Sequence, residues 1–439
     1  MTTKRPTPPV LLKRVDRAAP AGGGTAPADR RAPTGAPPGR PSASAKERIV
    51  GLDLARGVAL IGMLAVHVFY TFDSNGSPSL ATTVAAGRSA ATFATVAGVG
   101  IALLTGGRRT LGGLERAGSA AGIAGRALMI GLIGLTLGYV TTAAGLPDYV
   151  ILVYYAAMFL LAIPLLGLRT RALVFASLAF AVIGPVVVSA ADLVPDRSFG
   201  IDPRLGDLVH HPAALALEIA LSGAYPVLAW LAYICAGLAI GRLDLTSRRV
   251  ALWMVAGGLA LATAAWWASS VLLFQLGGLR QLRAAAPPGT AWTDAQLLWD
   301  PPAGISSWWW LAGRAPHSTT PFDMFHTLGA AVAVLGAALL LSRVALVRRL
   351  LRPIADAGSM VLTLYVGHLL VLSTGVLDAH PHAQFVLLLA ALIAFAVGWR
   401  RYAGRGPLER VVSWAAARAR TAYLSWSVEP ARWGSRYFS

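Results

Sequence analysis

The feature that most constrains this chain is a series of apolar runs, each about 20 residues long. A transmembrane helix needs about 20 apolar residues, because a bilayer offers its backbone no hydrogen-bond partners. Hydrophobic residues make up 56% of the 439 residues and charged residues only 13%. The sequence therefore predicts an all-α, polytopic membrane protein with about ten transmembrane helices. The predicted spans are 49–72, 84–104, 124–143, 149–167, 172–193, 219–241, 250–276, 322–342, 357–377 and 383–399.

The distribution of Lys and Arg predicts the orientation of these spans. Ten basic and three acidic residues precede Ile49, and the alternate loops GGRRTLGGLERAG, GLRTR, GRLDLTSRR and SRVALVRRLLRP are also basic. Cytoplasmic loops carry such an excess, so we expect both termini in the cytoplasm. Membrane orientation accounts for the net charge of +18, and we expect no nucleic-acid partner.

The chain divides into three predicted segments. Residues 1–47 are rich in Pro, Gly and basic residues, which predicts a disordered cytoplasmic tail. Residues 48–402 form the transmembrane domain, and residues 403–439 a cytoplasmic tail with a short interfacial helix. Two loops placed outside, 194–218 and 277–321, are long enough to hold structure of their own.

The first span carries three ionisable residues on one face. Asp53, Arg56 and His67 fall within an arc of about 60° at 100° per residue. Each ionisable group costs about 2.5–3.5 kcal/mol inside a membrane, so such groups usually face a protein interior or a cavity. One interpretation makes His67 a general base beside an anion-binding Arg56. The other makes Asp53 and Arg56 an internal ion pair and His67 a packing residue.

A second group of polar residues follows the large outer loop. His317, Asp323 and His326 lie around the start of the eighth span, and Asp323 and His326 share a helix face. They are candidates for substrate binding. The alternative is that Thr320 and Pro321 simply begin a helix, as N-cap and first residue. Two histidines and a carboxylate suggest zinc, but the spacing matches no zinc motif and we expect no metal.

The ninth span contributes Tyr365 and His368, which share a face at mid-membrane. A histidine at that depth indicates a functional role, and we assign both residues to substrate binding. Trp308, Trp309 and Trp310 in the outer loop are typical of an interfacial belt, or of a surface on which a sugar ring stacks.

The pattern LDLARGVALIGMLAVH at 52–67 resembles the first helix of the transmembrane acyltransferases. That group contains the heparan-alpha-glucosaminide N-acetyltransferase catalytic-domain family, the YeiB-like (DUF418) proteins and the acyltransferase-3 family. The stretches SGAYPVLAWLAYICAGLAIGRLDL, APHSTTPFDMFHTLGAAVAVLG and AGSMVLTLYVGHLLVL also resemble members of the group. GRGPLERV at 404–411 is similar to the C-terminal signature of YeiB-like proteins.

The resemblance implies an enzyme that takes an acyl group, usually acetyl, from cytoplasmic acyl-CoA and delivers it to a sugar or glycolipid of the cell envelope. It implies that His67 and Arg56 are catalytic, with Asp53 beside them. Eukaryotic glucosaminide acetyltransferases instead have a catalytic histidine in the next loop, and this chain has no histidine between His67 and His210.

Two other functions remain open from the sequence. Charged groups at membrane depth also mark transport pathways, so a transporter or flippase of an envelope precursor is the main alternative, and a membrane scaffold is the other. We expect the protein in the cell membrane, in contact with lipid and with a glycan or glycolipid acceptor. The acceptor, the acyl chain and the oligomeric state, a homo-oligomer included, stay open.

Overall fold

The structure is a computed structural model, and it describes residues 49–109, 111–146, 150–192, 202–285, 293–300 and 307–434. The predicted disordered tail, residues 1–47, lies outside the described residues. So do parts of the two long outer loops.

Helices account for almost all of the described structure, and no strand occurs among these residues apart from a single bridge between Phe72 and Pro78. The α-helices are α1 Val50–Val68, α2 Leu80–Val84, α3 Arg88–Leu104, α4 Gly113–Ala143, α5 Leu152–Leu165, α6 Thr170–Asp192, α7 Leu205–His210, α8 Pro212–Leu217, α9 Val227–Ile240, α10 Arg248–Ser270, α11 Gly278–Ala284, α12 Asp294–Trp299, α13 Pro321–Leu341, α14 Ala345–Leu350, α15 Arg352–Gly358, α16 Val361–Leu372, α17 Pro381–Ala403 and α18 Pro407–Gly434. Two π-helical turns, Glu218–Ser222 and Val271–Gln275, and one 3₁₀ turn, Trp308–Ala312, complete the set.

Each of the ten predicted spans contains a helix. Within the described residues, seven helical segments are long and apolar enough to cross a membrane, and nine if two bent pairs each count as one span. The remaining predicted span corresponds to α5, an apolar helix of only 14 residues. The protein is therefore an all-α polytopic membrane protein, and its span count of ten stays a prediction.

The two bent pairs differ from the straight helices that hydropathy predicts. α8 and α9 meet at 59°, and Pro226 stands at the break as the residue before α9. α15 and α16 meet at 85°. A proline cannot donate the helical hydrogen bond, which accounts for the first break. The second break turns α16, with Tyr365 and His368, away from the line of α15.

Close backbone contacts hold α1 against α15. A Cβ atom on Gly57 would lie 2.2 Å from the carbonyl oxygen of Ile354, and one on Gly358 would lie 1.8 Å from the carbonyl oxygen of Asp53. Only glycine leaves room for backbones this close. α3 and α9 meet in the same way at Gly98 and Gly237.

The C-terminal helix α18 is longer than the short interfacial helix that the sequence predicts. It has 28 residues and packs along the first half of α4, where three glycines of α4 face its side chains and backbone. At its start, the Glu409 carboxylate accepts hydrogen bonds from the backbone N–H and the hydroxyl of Thr363, at 3.1 and 2.6 Å. Glu409 thereby provides an acceptor for a backbone N–H in the first turn of α16, where the helix itself offers none. The GRGPLERV segment thus anchors the helix that carries His368.

Candidate active site

His67 lies in the last turn of α1 and contacts His368 of α16. Its Nδ1 is 2.9 Å from His368 Nε2, and the two rings stack with centroids 5.2 Å apart and an interplanar angle of 17°. His368 is completely buried, whereas His67 is partly exposed. The structure thus joins two predicted site residues that are 301 positions apart in the chain.

The hydrogen bonds of His368 determine which nitrogens carry protons. His368 Nδ1 lies 3.3 Å from the carbonyl oxygen of Leu364, which can only accept, so Nδ1 is the protonated nitrogen. His368 Nε2 is then an acceptor, and His67 Nδ1 must donate to it. In neutral His67 this leaves the lone pair on Nε2. The pair therefore holds neutral His67 in the tautomer with its proton on Nδ1.

Tyr365 supports this pair from inside the bundle. Its ring packs edge-on against His368 with centroids 5.3 Å apart, and its hydroxyl accepts a hydrogen bond of 3.2 Å from the backbone N–H of Ile151. Tyr365 is 3% exposed. This placement fixes α16 against the start of α5 and keeps Tyr365 out of contact with solvent.

His67 opens onto a cavity of about 530 Å³. Its wall comes from α1, α6, the break before α9, the end of α12 and the loop before α13. The polar and aromatic side chains of the wall are those of His67, Ser222, Tyr225, Asp300, Trp310, His317, Ser318 and Thr319. A smaller cavity of about 20 Å³ also touches His67, Tyr225 and His317. The larger cavity can hold a small ligand, and its wall contains the imidazole of His67, aromatic rings and hydrogen-bonding groups.

His317 is the second histidine of the cavity wall. It has a left-handed backbone with φ of 61°, which is rare for a residue other than glycine and indicates that the loop constrains it. Its ring lies parallel to Trp230, with centroids 6.3 Å apart, and edge-on to Tyr225 at 5.4 Å. Burial lowers the pKa of His317 to about 4, so this ring is neutral near pH 7.

Asp323 and His326 lie behind this loop and do not line either cavity. Asp323 accepts a hydrogen bond of 3.2 Å from the Thr319 backbone N–H and lies in the first turn of α13. The Thr320 hydroxyl accepts from the Asp323 backbone N–H, and Pro321 is the first helical residue. The helix-entry interpretation of this segment is therefore correct. The substrate-binding role of Asp323 and His326 stays a prediction.

Asp53 and Arg56 form an ion pair near the other end of α1. Arg56 Nη1 donates to Asp53 Oδ1 at 3.1 Å. Eleven residues separate Arg56 from His67, which corresponds to about 16 Å along the helix. The three residues of the predicted polar face therefore belong to two separate places, and neither cavity that His67 lines includes Asp53 or Arg56 in its wall.

Sequence patterns alone do not identify several residues of the cavity. Tyr225 resembles an ordinary apolar residue of a span, as does Trp230, which stacks on His317, and Asp300 resembles an ordinary loop carboxylate. The break at Pro226 is the available signal, because backbone irregularity inside a membrane usually lines a cavity. Trp310 lines the cavity, whereas Trp308 is 58% exposed, and both the interfacial belt and the stacking surface stay predictions. Among the residues that the structure describes, no three His, Cys, Asp or Glu side chains gather as a metal site would require.

The sequence of residues 48–276 matches a known family. A sequence model described as "Heparan-alpha-glucosaminide N-acetyltransferase, catalytic" matches residues 48–276, slightly more than half of the chain. No curated protein matches the chain. The matched region includes Arg56, His67 and Tyr225, whereas His317 and His368 lie beyond it.

Proposed function

Because the chain belongs to the heparan-alpha-glucosaminide N-acetyltransferase catalytic family, we propose that it transfers an acetyl group from acyl-CoA to a sugar hydroxyl or amine of the cell envelope. The family is one of membrane acetyltransferases. The donor, the envelope acceptor and a location in the cell membrane are the specific parts of the proposal.

The observation that carries the proposal is the orientation of His67 by His368 at the edge of a cavity. A neutral imidazole with a defined lone pair is a suitable general base near neutral pH. The hydrogen bond between the rings, at 2.9 Å, fixes the ring plane of His67 as well as its tautomer. His368 is accordingly a positioning residue, and its assignment to substrate binding gives way to this role in the proposal.

The reaction follows from this arrangement in two proton transfers. His67 Nε2 takes the proton of the acceptor hydroxyl or amine while the acceptor oxygen or nitrogen attacks the thioester carbonyl. The new C–O or C–N bond forms, the C–S bond breaks, and the imidazolium returns the proton to the leaving thiolate. The products are the acylated acceptor and CoA with a free thiol. His67 ends the cycle neutral.

The donor approaches from the inner end of α1 in this proposal. Among the described residues, Arg56 forms one ion pair, with Asp53, and its side chain is 30% exposed. A guanidinium has five donors, so Arg56 retains the capacity to bind a phosphate of CoA. The distance of about 16 Å between Arg56 and His67 is bridged by the pantetheine arm, which separates the phosphates of CoA from its thioester.

The acceptor occupies the cavity beside His67. Trp310 and Tyr225 offer ring faces of the kind that bind sugars, and neutral His317 offers a hydrogen bond without a charge. The ring of His317 packs against Trp230 of α9 and against Tyr225, which precedes α9, so these contacts hold His317 and Tyr225 in place.

A transporter remains the second candidate, and the two bent helix pairs favour it. Discontinuous helices often form the binding sites of secondary transporters. The two candidates differ in their need for a donor. Liposomes with the purified protein that move an envelope precursor without acyl-CoA would support transport over acyl transfer.

The proposal is tested by mass spectrometry of envelope glycans and lipids from a deletion strain. We expect an acyl mass to disappear, to return with the wild-type gene, and to stay absent with His67→Ala at equal protein level. His210→Ala is the matched control, because His210 is an exposed histidine away from the cavity, and it restores the acyl mass. Full restoration by His67→Ala removes His67 from the reaction.

A further inference from the structure

Two arginines lie together at the start of α3 and in the loop before α13, and neither lines a cavity beside His67. Arg88 is the first residue of α3, and Arg314 follows the 3₁₀ turn that ends at Ala312. The residue before Arg88 packs against this loop, because a Cβ on Gly87 would lie 3.5 Å from the Cα of Pro316, two residues after Arg314. Burial lowers the pKa of the Arg314 guanidinium, and the charge of Arg88 lowers it further. Two positive charges close together in a partly buried position repel each other, so an anionic partner would stabilise them.

Arg314 has no hydrogen-bonding partner among the residues that the structure describes. Its Nε is buried and unsatisfied, and its guanidinium lies over the ring of Trp266 at 4.9 Å from the centroid. A cation over a ring face is attracted to it, but this contact uses none of the N–H donors. A buried donor without an acceptor is unfavourable, so the side chain is ready to bind one.

Arg88 is held in place by neutral groups. It donates to His326 Nε2 at 2.9 Å and to the Ala86 carbonyl at 3.1 Å. His326 in turn donates from Nδ1 to the Ala262 carbonyl at 3.0 Å, so its Nε2 is an acceptor and the ring is uncharged. These contacts orient the guanidinium of Arg88 and leave its charge uncompensated.

The charge of Asp323 acts on Arg88, but Asp323 forms no ion pair with either arginine. It lies within electrostatic range of Arg88, but its hydrogen bond goes to the Thr319 backbone. Within the described part of the chain, neither arginine has an ion pair within 4 Å. The site therefore has two positive charges and at most one distant negative charge.

The surroundings indicate what the missing partner is. Trp266 is 47% exposed and Trp267 64% exposed, on the α10 helix whose outer surface is largely apolar and unburied. Tryptophans with this exposure are typical of the headgroup level of a membrane. An anion at that level that accepts several hydrogen bonds from guanidinium groups is a phosphate.

We propose that Arg88 and Arg314 form a binding site for a phosphate group at the membrane surface on the side of the catalytic cavity. The phosphate comes either from a phospholipid headgroup or from the phosphate of a soluble or lipid-linked sugar. The site uses Trp266 as its floor and His326 as the residue that orients Arg88. It does not depend on acyl transfer.

The test measures retained ligand on the full-length purified protein, without turnover. Native mass spectrometry of the protein in detergent, with equal amounts of phosphatidylglycerol and phosphatidylcholine, gives the lipid preference. A second series adds glucose 1-phosphate or glucose. Arg314→Gln removes the charge, Arg314→Lys keeps the charge without the planar fork, and Arg280→Gln removes an exposed arginine that precedes the same loop. Size-exclusion profiles establish that each variant is folded.

The proposal expects wild-type protein to prefer a phosphate-bearing ligand by about tenfold over its uncharged or zwitterionic counterpart. Arg314→Gln loses the preference, Arg314→Lys keeps part of it, and Arg280→Gln keeps it in full. Retention of phosphatidylglycerol supports the headgroup source, and retention of glucose 1-phosphate alone supports the sugar-phosphate source. Equal retention by wild type and Arg314→Gln, or no preference in either series, overturns the site.

Discussion

The two ends of α1 contain the same kind of sequence signal, polar residues in an apolar span, and the structure places them in different environments. At the N-terminal end, Asp53 and Arg56 form an ion pair across one helical turn, and the backbone of α1 touches that of α15. At the C-terminal end, His67 contacts a histidine 301 positions away and lines a cavity. The spacing of Asp53 and Arg56 is enough to account for their ion pair. A polar residue such as His67, whose partner is distant in the sequence, instead indicates a site formed by tertiary packing.

The largest effect is expected where α1 and α15 touch. Gly358→Ala places a Cβ 1.8 Å from the Asp53 carbonyl oxygen, which forces the two backbones apart. We expect a loss of stability of about 3 kcal/mol, because overpacking in a closely packed interior costs about 1–3 kcal/mol or more. Thermal unfolding in detergent measures it.

Gly367→Ala is the matched control for this prediction. Nothing lies within 4 Å of a Cβ at Gly367, which is also a helical glycine, in α16. It should leave the unfolding temperature unchanged or raise it, since alanine favours a helix over glycine by about 0.5–1 kcal/mol. If both variants behave alike, the close contact of α1 and α15 is not required.

The next effect separates the functions of the two ends of α1. Arg56→Gln should raise KM for acetyl-CoA by about tenfold to a hundredfold and leave kcat nearly unchanged, because a hydrogen bond to a charged group is worth about 1.5–3 kcal/mol. Initial rates of CoA release at varied donor concentration measure both constants. Asp53→Asn, which keeps Arg56, should change KM less. A fall in kcat with unchanged KM would place Arg56 at the reacting atoms instead.

A smaller effect is expected from the positioning residue at the C-terminal end of α1. His368→Phe keeps a buried ring but cannot accept from His67 Nδ1, so kcat should fall by about tenfold, the equivalent of about 1.4 kcal/mol. His368→Gln offers an acceptor oxygen and should recover part of the rate. Stopped-flow measurement of CoA release distinguishes them. Equal rates for the two variants would assign His368 to packing alone.

The smallest effect concerns pH and His317. Its pKa is about 4 in the folded protein and about 6.5 when exposed, so between these values the unfolded chain binds a proton that the folded chain does not. The contribution of neutral His317 to the free energy of unfolding is therefore complete above about pH 6.5 and is lost as the pH falls toward 4. His317→Phe should show a shallower fall in unfolding temperature over that range. Parallel curves for wild type and variant would contradict the burial of His317 as the cause.

The sequence predicts most of the fold because its main signals are local. Hydropathy finds a helix in each of the ten predicted spans, and Thr320 with Pro321 correctly marks the start of α13. The spacing of three residues between Asp53 and Arg56 is also enough to predict their pair. Each of these depends on residues within one or two helical turns of each other.

The cavity could not be predicted in the same way, because its parts come from distant segments. His67, His317 and His368 meet only after α9, α13 and α16 have packed, and periodicity contains no information about that packing. Hydropathy also cannot detect the 85° bend between α15 and α16, since both sides of the bend are apolar. The length of α18 was underestimated for a related reason: its contact surface is provided by the glycines of α4.

In the proposed mechanism, His67 is the base and the donor binds without it. The most direct test combines two measurements on one preparation of His67→Gln in liposomes: acetyl-CoA binding at equilibrium and CoA release with an envelope lipid extract as acceptor. We predict binding equal to wild type and a rate about 10²- to 10⁴-fold lower, the usual contribution of a general base. A wild-type rate of CoA release from this folded, donor-binding variant would contradict the account.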